Sequence, residues 1–174
     1  MDAKDCGPAA LKMVAKFFGR YYSLQYLRDK CGITKEGVSL LGISAAAESI
    51  GLRTAAIKCT VDDVFQRVPL PAIAHWEGNH FVVLYDTSRK HIYVSDPAKG
   101  HVRYSREEFM EGWYLRDEPR GVLLALEATA DFRLSKQERE REGNSLLSIL
   151  RYFTPYRQQF AIVFFVMVLA TLLQ

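Results

Sequence analysis

Three residues of this sequence, Cys6, His80 and Asp96, have side chains that could together carry out nucleophilic catalysis. A thiol nucleophile needs a base that takes its proton, and the base needs an acceptor that orients its ring. Cysteine, histidine and aspartate can supply these three functions in that order. The set alone is a weak indication because many proteins contain it, so the elements that would position the three residues decide its weight.

Cys6 lies at the predicted start of a helix. Pro8 suits an early helical position because its missing N–H would have no partner there, and Leu11 and Val14 follow at helical spacing. The free N–H groups at a helix start favour negative charge, so a thiol there forms the reactive thiolate more easily. The carboxylate of Asp5 opposes this effect unless it caps the helix. The alternative is that Cys6 is a small buried core residue.

His80 and Asp96 belong to two neighbouring predicted strands. His80 opens an apolar strand after the Gly78-Asn79 turn, and Asp96 directly follows the next strand, residues 91–95. If the two strands pair as a hairpin, the start of the first lies beside the end of the second, which places His80 next to Asp96. We therefore predict that His80 takes the proton of Cys6 while Asp96 holds the tautomer of the ring.

The composition restricts the class of protein. The chain has 174 residues, of which 49% are hydrophobic and 25% charged, enough for one globular domain with a real core. A net charge of +3 without a long Lys/Arg run argues against nucleic acid as a partner. The widely spaced Cys6, Cys31 and Cys59 match neither a disulfide framework nor a zinc pattern, which indicates a reducing compartment. Cys31 and Cys59 are predicted to be core residues.

Hydrophobic periodicity predicts an α+β fold. Helices are expected first, over residues 6–18, 24–30 and 40–50, with Ser23 and Ser39 as caps. An antiparallel sheet follows, with strands at 53–58, 72–76, 80–85, 91–95, 102–104 and 121–126 and short helices at 61–67 and 106–113. The predicted domain therefore spans residues 1–126.

The pattern changes after residue 126. Residues 127–144 are predicted to be an exposed charged linker or a solvated helix, and residues 145–174 an amphipathic helix followed by an apolar run. The run, residues 160–173, would measure about 21 Å as a helix, against about 30 Å for the core of a bilayer. It is interpreted as a truncated transmembrane helix, and the alternative is a buried or dimer-forming terminal helix.

Several segments together closely resemble the N-terminal peptidase domain of peptidase-containing ABC transporters, which process and export bacteriocins. They are DAKDCGPAALKM (2–13), GVS (37–39), GI (42–43), AHW (74–76), NHFVV (79–83) and DPAKG (96–100). The resemblance covers about residues 2–126. It implies a papain-like cysteine peptidase fold, with the N-terminal helices packed on an antiparallel sheet, in which Cys6 is the nucleophile, His80 the base and Asp96 the residue that orients it.

The resemblance also implies partners and a location. The family cleaves leader peptides after a Gly-Gly pair before export, so a double-glycine leader peptide is the expected substrate. No cofactor is expected in this chain, and ATP only in a missing ATPase domain, since the sequence has no phosphate-binding loop. The expected setting is the bacterial cytoplasmic membrane, contacted through the C-terminal apolar segment, with the peptidase on the cytoplasmic side and a homodimer in the full transporter.

One departure from the family pattern leads to an alternative function. The family has a Gln six positions before the Cys that donates to the oxyanion, and counting back from Cys6 ends one residue before Met1. We therefore expect this chain to cleave about 10²–10³-fold more slowly than a peptidase that has this Gln. The alternative to a working peptidase is a catalytically impaired module that binds leader peptides. A soluble papain-like hydrolase or transferase of another kind is the other alternative, and it would not need the apolar run.

Overall fold

The computed structural model of this chain describes residues 5–32, 34, 37–115, 118–134 and 171. The chain divides into two compact units, Met1–Arg139 and Glu140–Gln174, and the elements below belong to the first. In chain order they are α1 (Cys6–Phe17), α2 (Leu24–Cys31), α3 (Leu40–Ser49), β1 (Leu52–Cys59), α4 (Val61–Gln66), β2 (Ala72–Trp76), β3 (His80–Thr87), β4 (His91–Asp96), β5 (Gly100–Ser105), α5 (Arg106–Trp113), β6 (Gly121–Ala128) and α6 (Ala130–Leu134).

The six strands form one antiparallel sheet in the order β1-β6-β2-β3-β4-β5. Strands β2 to β5 follow one another as neighbours, whereas β6 returns from the end of the domain and inserts between β1 and β2. The predicted α+β class, with helices first and an antiparallel sheet afterwards, is confirmed.

The sheet buries a hydrophobic layer on each face. Along β3 the side chains alternate: Val83 contacts the cluster under α1 to α3, which includes Val14, and Val82 contacts the cluster under α4 and α5. The second cluster is closed by Phe109 and Trp113 of α5. Helix α1 packs on the same face as Val83, and its first residue, Cys6, hydrogen-bonds with His80, so the start of α1 lies at the end of the sheet where β3 begins and β4 ends.

Hydrogen bonds between neighbouring residues define the helix ends close to the predicted positions. The hydroxyl groups of Ser23 and Ser39 accept bonds from backbone N–H groups of α2 and α3. Thr60 and Ser105 each form a complete capping box at the start of α4 and α5. Gly32 ends α2 in the left-handed conformation, with φ of 62°. These features need only neighbouring residues, so the sequence pattern alone predicts them.

The end of the domain differs from the sequence prediction. Strand β6 continues through Glu127 to Ala128, and α6 then buries Phe132, of which 1% is exposed, in the cluster under α1 to α3. The domain therefore continues past the predicted end at residue 126, and the predicted exposed segment is, over residues 127–134, a strand end and a helix that docks on the domain through Phe132. One aromatic side chain is too little to show as a periodic pattern, and it is buried because it docks on the helical layer.

The rest of the predicted linker, residues 135–144, lies outside the described residues. So do the predicted amphipathic helix and truncated transmembrane helix of residues 145–174, except for residue 171. Among the helices of the described residues, none combines the length and the apolar character that crossing a membrane would require.

Candidate active site

Cys6 is the first residue of α1, and 5% of it is exposed. The adjoining Gly7 lies against the start of α3: a Cβ atom there would come within 2.8 Å of Cδ1 of Ile43 and still closer to Val38. The glycine therefore allows α3 to pack closely against the turn that carries the thiol. The loop before α3 and the start of α1 thus hold the cysteine in place together.

His80 and Asp96 meet through the predicted hairpin. Strands β3 and β4 pair antiparallel, with Leu84 opposite Val94, and Nε2 of His80 lies 2.8 Å from Oδ1 of Asp96. Asp96 is the last residue of β4 and is 1% exposed. The backbone N–H of Ala98 donates to the same carboxylate oxygen at 2.7 Å. The turn after β4 therefore orients the carboxylate, and the carboxylate orients the ring.

The charges of the three side chains depend on one another. A hydrogen bond with the side chain of Cys6 raises the pKa of His80 to about 9; the bond with Asp96 acts in the same direction, and burial opposes both. Burial would raise the pKa of Asp96, but the N–H of Ala98 and the ring of His80 donate hydrogen bonds that hold it below its ordinary value. At neutral pH a charged imidazolium therefore lies between the sulfur and a buried carboxylate.

This arrangement can support nucleophilic chemistry at the sulfur of Cys6. An imidazolium beside the sulfur favours the thiolate form and can also give its proton to a leaving group. The first backbone N–H groups of α1 have no acceptor within the helix, so they can donate to a developing oxyanion. In the part of the chain that the structure describes, no group of three or more His, Cys, Asp or Glu side chains could hold a metal ion.

The other cysteines and His75 lie apart from this arrangement. Cys31 and Cys59 are buried, as predicted, and burial raises the pKa of each to about 11. The ring of His75 lies 5.2 Å from that of Phe81, and burial lowers its pKa. The two cysteines have the environment of core residues, and His75 is half-buried beside an aromatic ring.

Sequence reasoning missed Arg28 of α2. Its Nε donates to Oδ1 of Asp5 at 2.8 Å and its Nη2 to Oδ2 at 2.5 Å. Asp5 precedes the thiol directly and occupies the cap position of α1, but within the described residues its side chain caps no N–H of the helix. Arg28 lies 23 positions after Asp5 in a polar helix, where an arginine is expected to be exposed to solvent. No local sequence pattern therefore indicated the ion pair between Arg28 and Asp5.

A groove of about 450 Å³ runs between α1 and the strands. Most of its lining side chains are apolar or aromatic, and the full set is Met13, Lys16, Phe17, Pro71, Val83, Tyr85, Ser95 and His101. Helix α1 forms one wall and also carries Cys6, whereas Ser95 of the opposite wall directly precedes Asp96. The groove therefore shares three elements with the three hydrogen-bonded side chains, because Val83 and Tyr85 of its lining belong to β3, which carries His80.

Curated relatives of this chain are ATP-binding proteins named for processing and transport. The Lactococcin-G-processing and transport ATP-binding protein LagD of Lactococcus lactis is 35% identical over 140 residues, 77% of this chain and 19% of that protein. The transport/processing ATP-binding protein ComA of Streptococcus pneumoniae is 34% identical over 181 residues, covering 99% of this chain and 23% of that protein. The chain thus spans about a fifth of the length of the curated relatives it matches.

Solved structures agree with these relatives. A double glycine motif protease from an AMS/PCAT transporter, in complex with the leader peptide, superposes with a TM-score of 0.68 and 32% identity, covering 74% of this chain and 88% of that one. The peptidase domain of Streptococcus ComA gives a TM-score of 0.65 and 31% identity, covering 74% and 95%. Both similarities confirm the predicted peptidase fold.

The family follows from a direct match. The sequence profile of the Peptidase C39 family matches residues 1–116, which is most of the described domain. This range contains Cys6, His80 and Asp96, and the resemblance inferred from their motifs is confirmed. The chain belongs to the Peptidase C39 family and is a cysteine peptidase.

Proposed function

We propose that this chain is the domain of a peptide exporter that cleaves leader peptides after a Gly-Gly pair. In this proposal Cys6 is the nucleophile, His80 transfers the protons and Asp96 orients and charges the imidazole ring. The observation that carries it is the continuous set of hydrogen bonds from the sulfur of Cys6 through His80 to the buried carboxylate of Asp96. Three side chains in this order are what acyl transfer by a thiol requires.

In the first half of the reaction, the thiolate of Cys6 attacks the carbonyl carbon of the second Gly. A carbon–sulfur bond forms, and the carbonyl oxygen becomes an oxyanion to which the N–H at the start of α1 donates. The imidazolium of His80 gives its proton to the amide nitrogen as the carbon–nitrogen bond breaks. The cargo peptide leaves as a neutral amine, and the leader remains as a thioester on Cys6.

In the second half, a water molecule attacks the thioester. Neutral His80 takes a proton from the water molecule while the water oxygen bonds to the carbonyl carbon of the thioester. When the tetrahedral intermediate collapses, the carbon–sulfur bond breaks and the leader departs with a free carboxyl group. The sulfur leaves as a thiolate beside the imidazolium, so the starting ion pair is restored. Asp96 accepts a hydrogen bond from His80 throughout and remains ionised.

The proposed substrate fits the groove beside these side chains. An amphipathic helix can place its apolar side chains in such a groove, and the walls formed by Met13, Phe17 and Val83 offer an apolar surface. The leader would then run along α1 and bring its C-terminal glycines to Cys6. Two residues without side chains can enter a narrow cleft that rejects larger ones by steric clash. The solved relative with a bound leader peptide supports this class of substrate.

The wider setting of the domain is part of the proposal. The relatives are ATP-binding transport and processing proteins, and we propose that this peptidase acts within such a transporter. Residues 1–134 would form the peptidase unit, and residues 145–174 would lead into the membrane domain. The peptidase would lie on the cytoplasmic side of a bacterial membrane in a homodimer. ATP would bind to another domain of the transporter, and the peptidase itself would need no cofactor.

A leader peptide that ends in Gly-Gly and continues into a cargo tests the proposal. Incubation with the chain should release the cargo after the second Gly, measured by mass spectrometry of the products. The matched peptide with Val at that position should be cleaved at least about 100-fold more slowly, because its side chain cannot enter the cleft. Equal cleavage of the two peptides would contradict the proposed specificity.

A variant of the groove separates binding from chemistry. Replacement of Phe17, which is 58% exposed, by Ser should raise KM for the leader substrate and leave kcat within about threefold, because the groove holds the leader and not the reacting atoms. A short peptide that contains only the residues around Gly-Gly should not distinguish the variant from the parent chain. A fall in kcat with KM unchanged would place the leader elsewhere.

A further inference from the structure

Arg28 forms a two-point contact with the residue that precedes the nucleophile. Its Nε and Nη2 donate to the two carboxylate oxygens of Asp5 at 2.8 and 2.5 Å, and the side chains are 34% and 11% exposed. A fork of this kind fixes the orientation of both groups as well as joining their charges. It connects α2 to the first turn of α1 at the position next to Cys6.

Without Arg28, the carboxylate of Asp5 would oppose the chemistry proposed for Cys6. A negative charge beside a thiol disfavours the thiolate, and a buried charge is screened little by salt. Asp5 also stands at the helix start, where the N–H groups otherwise favour the thiolate. Since the bond from Arg28 holds the pKa of Asp5 below its ordinary value, the carboxylate is charged whenever the peptidase works.

We propose that Arg28 is a positioning residue of the peptidase, which acts through Asp5 by neutralising the carboxylate charge of the residue that precedes Cys6 and by fixing the first turn of α1. The inference rests on the function proposed above, in which Cys6 is the nucleophile. Arg28 would thereby extend the reactivity of the thiol to lower pH without touching the substrate.

The charged groups around this position can be separated by experiment. On the side of Cys6 they are His80 and, behind it, Asp96; on the side of Asp5 they are Arg28, which contacts it, and the positive N-terminal amino group of the chain. The amide oxygen of Gln25 lies 3.4 Å from Nη1 of Arg28, and the same amide donates to Asp29. None of these groups except Asp5 and Arg28 changes in the variants below, so opposite charge changes at the pair should shift the reactivity of Cys6 in opposite directions.

The test compares Arg28→Met, Asp5→Asn and the double variant in the full chain. The rate of Cys6 alkylation by iodoacetamide is measured from pH 5 to 10, with peptide mapping to separate Cys6 from Cys31 and Cys59. In Arg28→Met the carboxylate of Asp5 loses this partner, and the pH profile of alkylation should shift to higher pH by about one unit. At the acidic end of the profile, alkylation should therefore be about tenfold slower than in the parent chain. Asp5→Asn should move it down, and the double variant should return to within about half a unit of the parent.

The direction of these shifts separates an electrostatic role from a merely structural one. A structural role would slow Cys6 in both single variants, and the double variant would not recover. Shifts in the same direction, or an unchanged profile in Arg28→Met, would overturn the proposal. Arg28→Lys, which keeps the charge, should stay within about threefold of the parent and serves if Arg28→Met does not fold; a loss as large as tenfold in a folded Arg28→Lys chain would also overturn it.

Cleavage of the leader substrate shows which of the two proposals fails, if one does. If a Cys6→Ala chain still cleaves, the proposed function is wrong whatever the alkylation profiles show. If Cys6 is required and its profile does not respond to the charges of Asp5 and Arg28, only the role of Arg28 is wrong. In the expected case, kcat/KM for the leader follows the alkylation profile across the variants.

Discussion

Cys6 and Cys31 lie in the same hydrophobic cluster under the helical layer, and they are almost equally buried, with 5% and 3% of each exposed. Cys31 ends α2, and burial raises its pKa to about 11. Cys6 begins α1 and hydrogen-bonds with His80, whose pKa rises to about 9. Both cysteines are thus buried, but Cys6 has a histidine partner, whereas burial alone accounts for the raised pKa of Cys31.

Exposure therefore does not distinguish the two thiols. An apolar environment disfavours the thiolate of Cys31, whereas Cys6 combines a helix start with a cationic neighbour held by a buried carboxylate. The position of a cysteine within its helix therefore matters as much as its depth: the first turn presents unpaired N–H groups, and the last turn presents carbonyl groups. Replacing either thiol, or a partner of Cys6, should therefore change the difference in reactivity between the two.

The largest effect should come from removing the thiols themselves. Cys6→Ala should lower cleavage of a Gly-Gly leader substrate by about 10⁴-fold or more, because no other group can form the thioester. Cys31→Ala, the matched control, should keep activity within about threefold at temperatures where it is folded. Steady-state cleavage assays of both variants check this, and comparable losses in the two would show that Cys6 has no special role.

Removing the cationic neighbour should make Cys6 resemble Cys31. His80→Ala should lower kcat/KM by about 10²–10⁴-fold, because the proton donor for the leaving amine and the partner of the thiolate are both lost. His75→Ala, on the paired strand β2, is the control and should lose much less. Cleavage assays at pH 7 measure the difference, and an active His80→Ala chain would exclude it as the base.

The three thiols should differ in alkylation rate. At pH 7 and limiting iodoacetamide, Cys6 should react at least about 100-fold faster than Cys31 or Cys59, whose pKa values of about 11 leave little thiolate. Peptide mapping by mass spectrometry identifies the modified residue. Modification of Cys31 or Cys59 before Cys6 in the folded chain would contradict the assignment.

A smaller effect is expected from the charge of Asp96. Asp96→Asn keeps an acceptor for His80 but removes the negative charge, so the imidazolium is less favoured and cleavage at pH 7 should fall by about tenfold. In the parent chain kcat/KM should decline above pH about 9, where His80 loses its proton, and in the variant this decline should begin about one pH unit lower. If kcat/KM declined at the same alkaline pH in both chains, the charge of Asp96 would have no effect on the protonation of His80.

The smallest effect concerns stability. Because the pKa of folded His80 is about 9 and its ordinary value 6.5, its protonated form stabilises the fold fully below pH about 6.5. This stabilisation is lost as the pH rises through about 9. The difference in the free energy of unfolding between the parent and His80→Ala chains, from urea titrations, should therefore shrink from pH 6 to pH 10. A difference that grows with pH would mean that His80 is buried neutral.

Many features of this molecule can be predicted from its amino-acid sequence, because the interactions responsible for them are local. Serine caps such as Ser23 and the left-handed Gly32 define helix ends through neighbouring N–H and carbonyl groups. The meeting of His80 with Asp96 is also nearly local, since consecutive antiparallel strands joined by a short turn place the start of one beside the end of the next. Motif residues then allowed the peptidase family to be identified.

Features that depend on contacts between distant segments are set by tertiary packing. Strand β6 pairs between β1 and β2 although it follows them by many residues, and Phe132 is buried because the helical layer leaves a place for it. Asp5 meets Arg28 because α2 packs across the start of α1, and no local pattern distinguishes that arginine from a solvated one. The physical reason is the same in each case: long-range packing selects the partner of a side chain, whereas local propensity selects only the element that carries it.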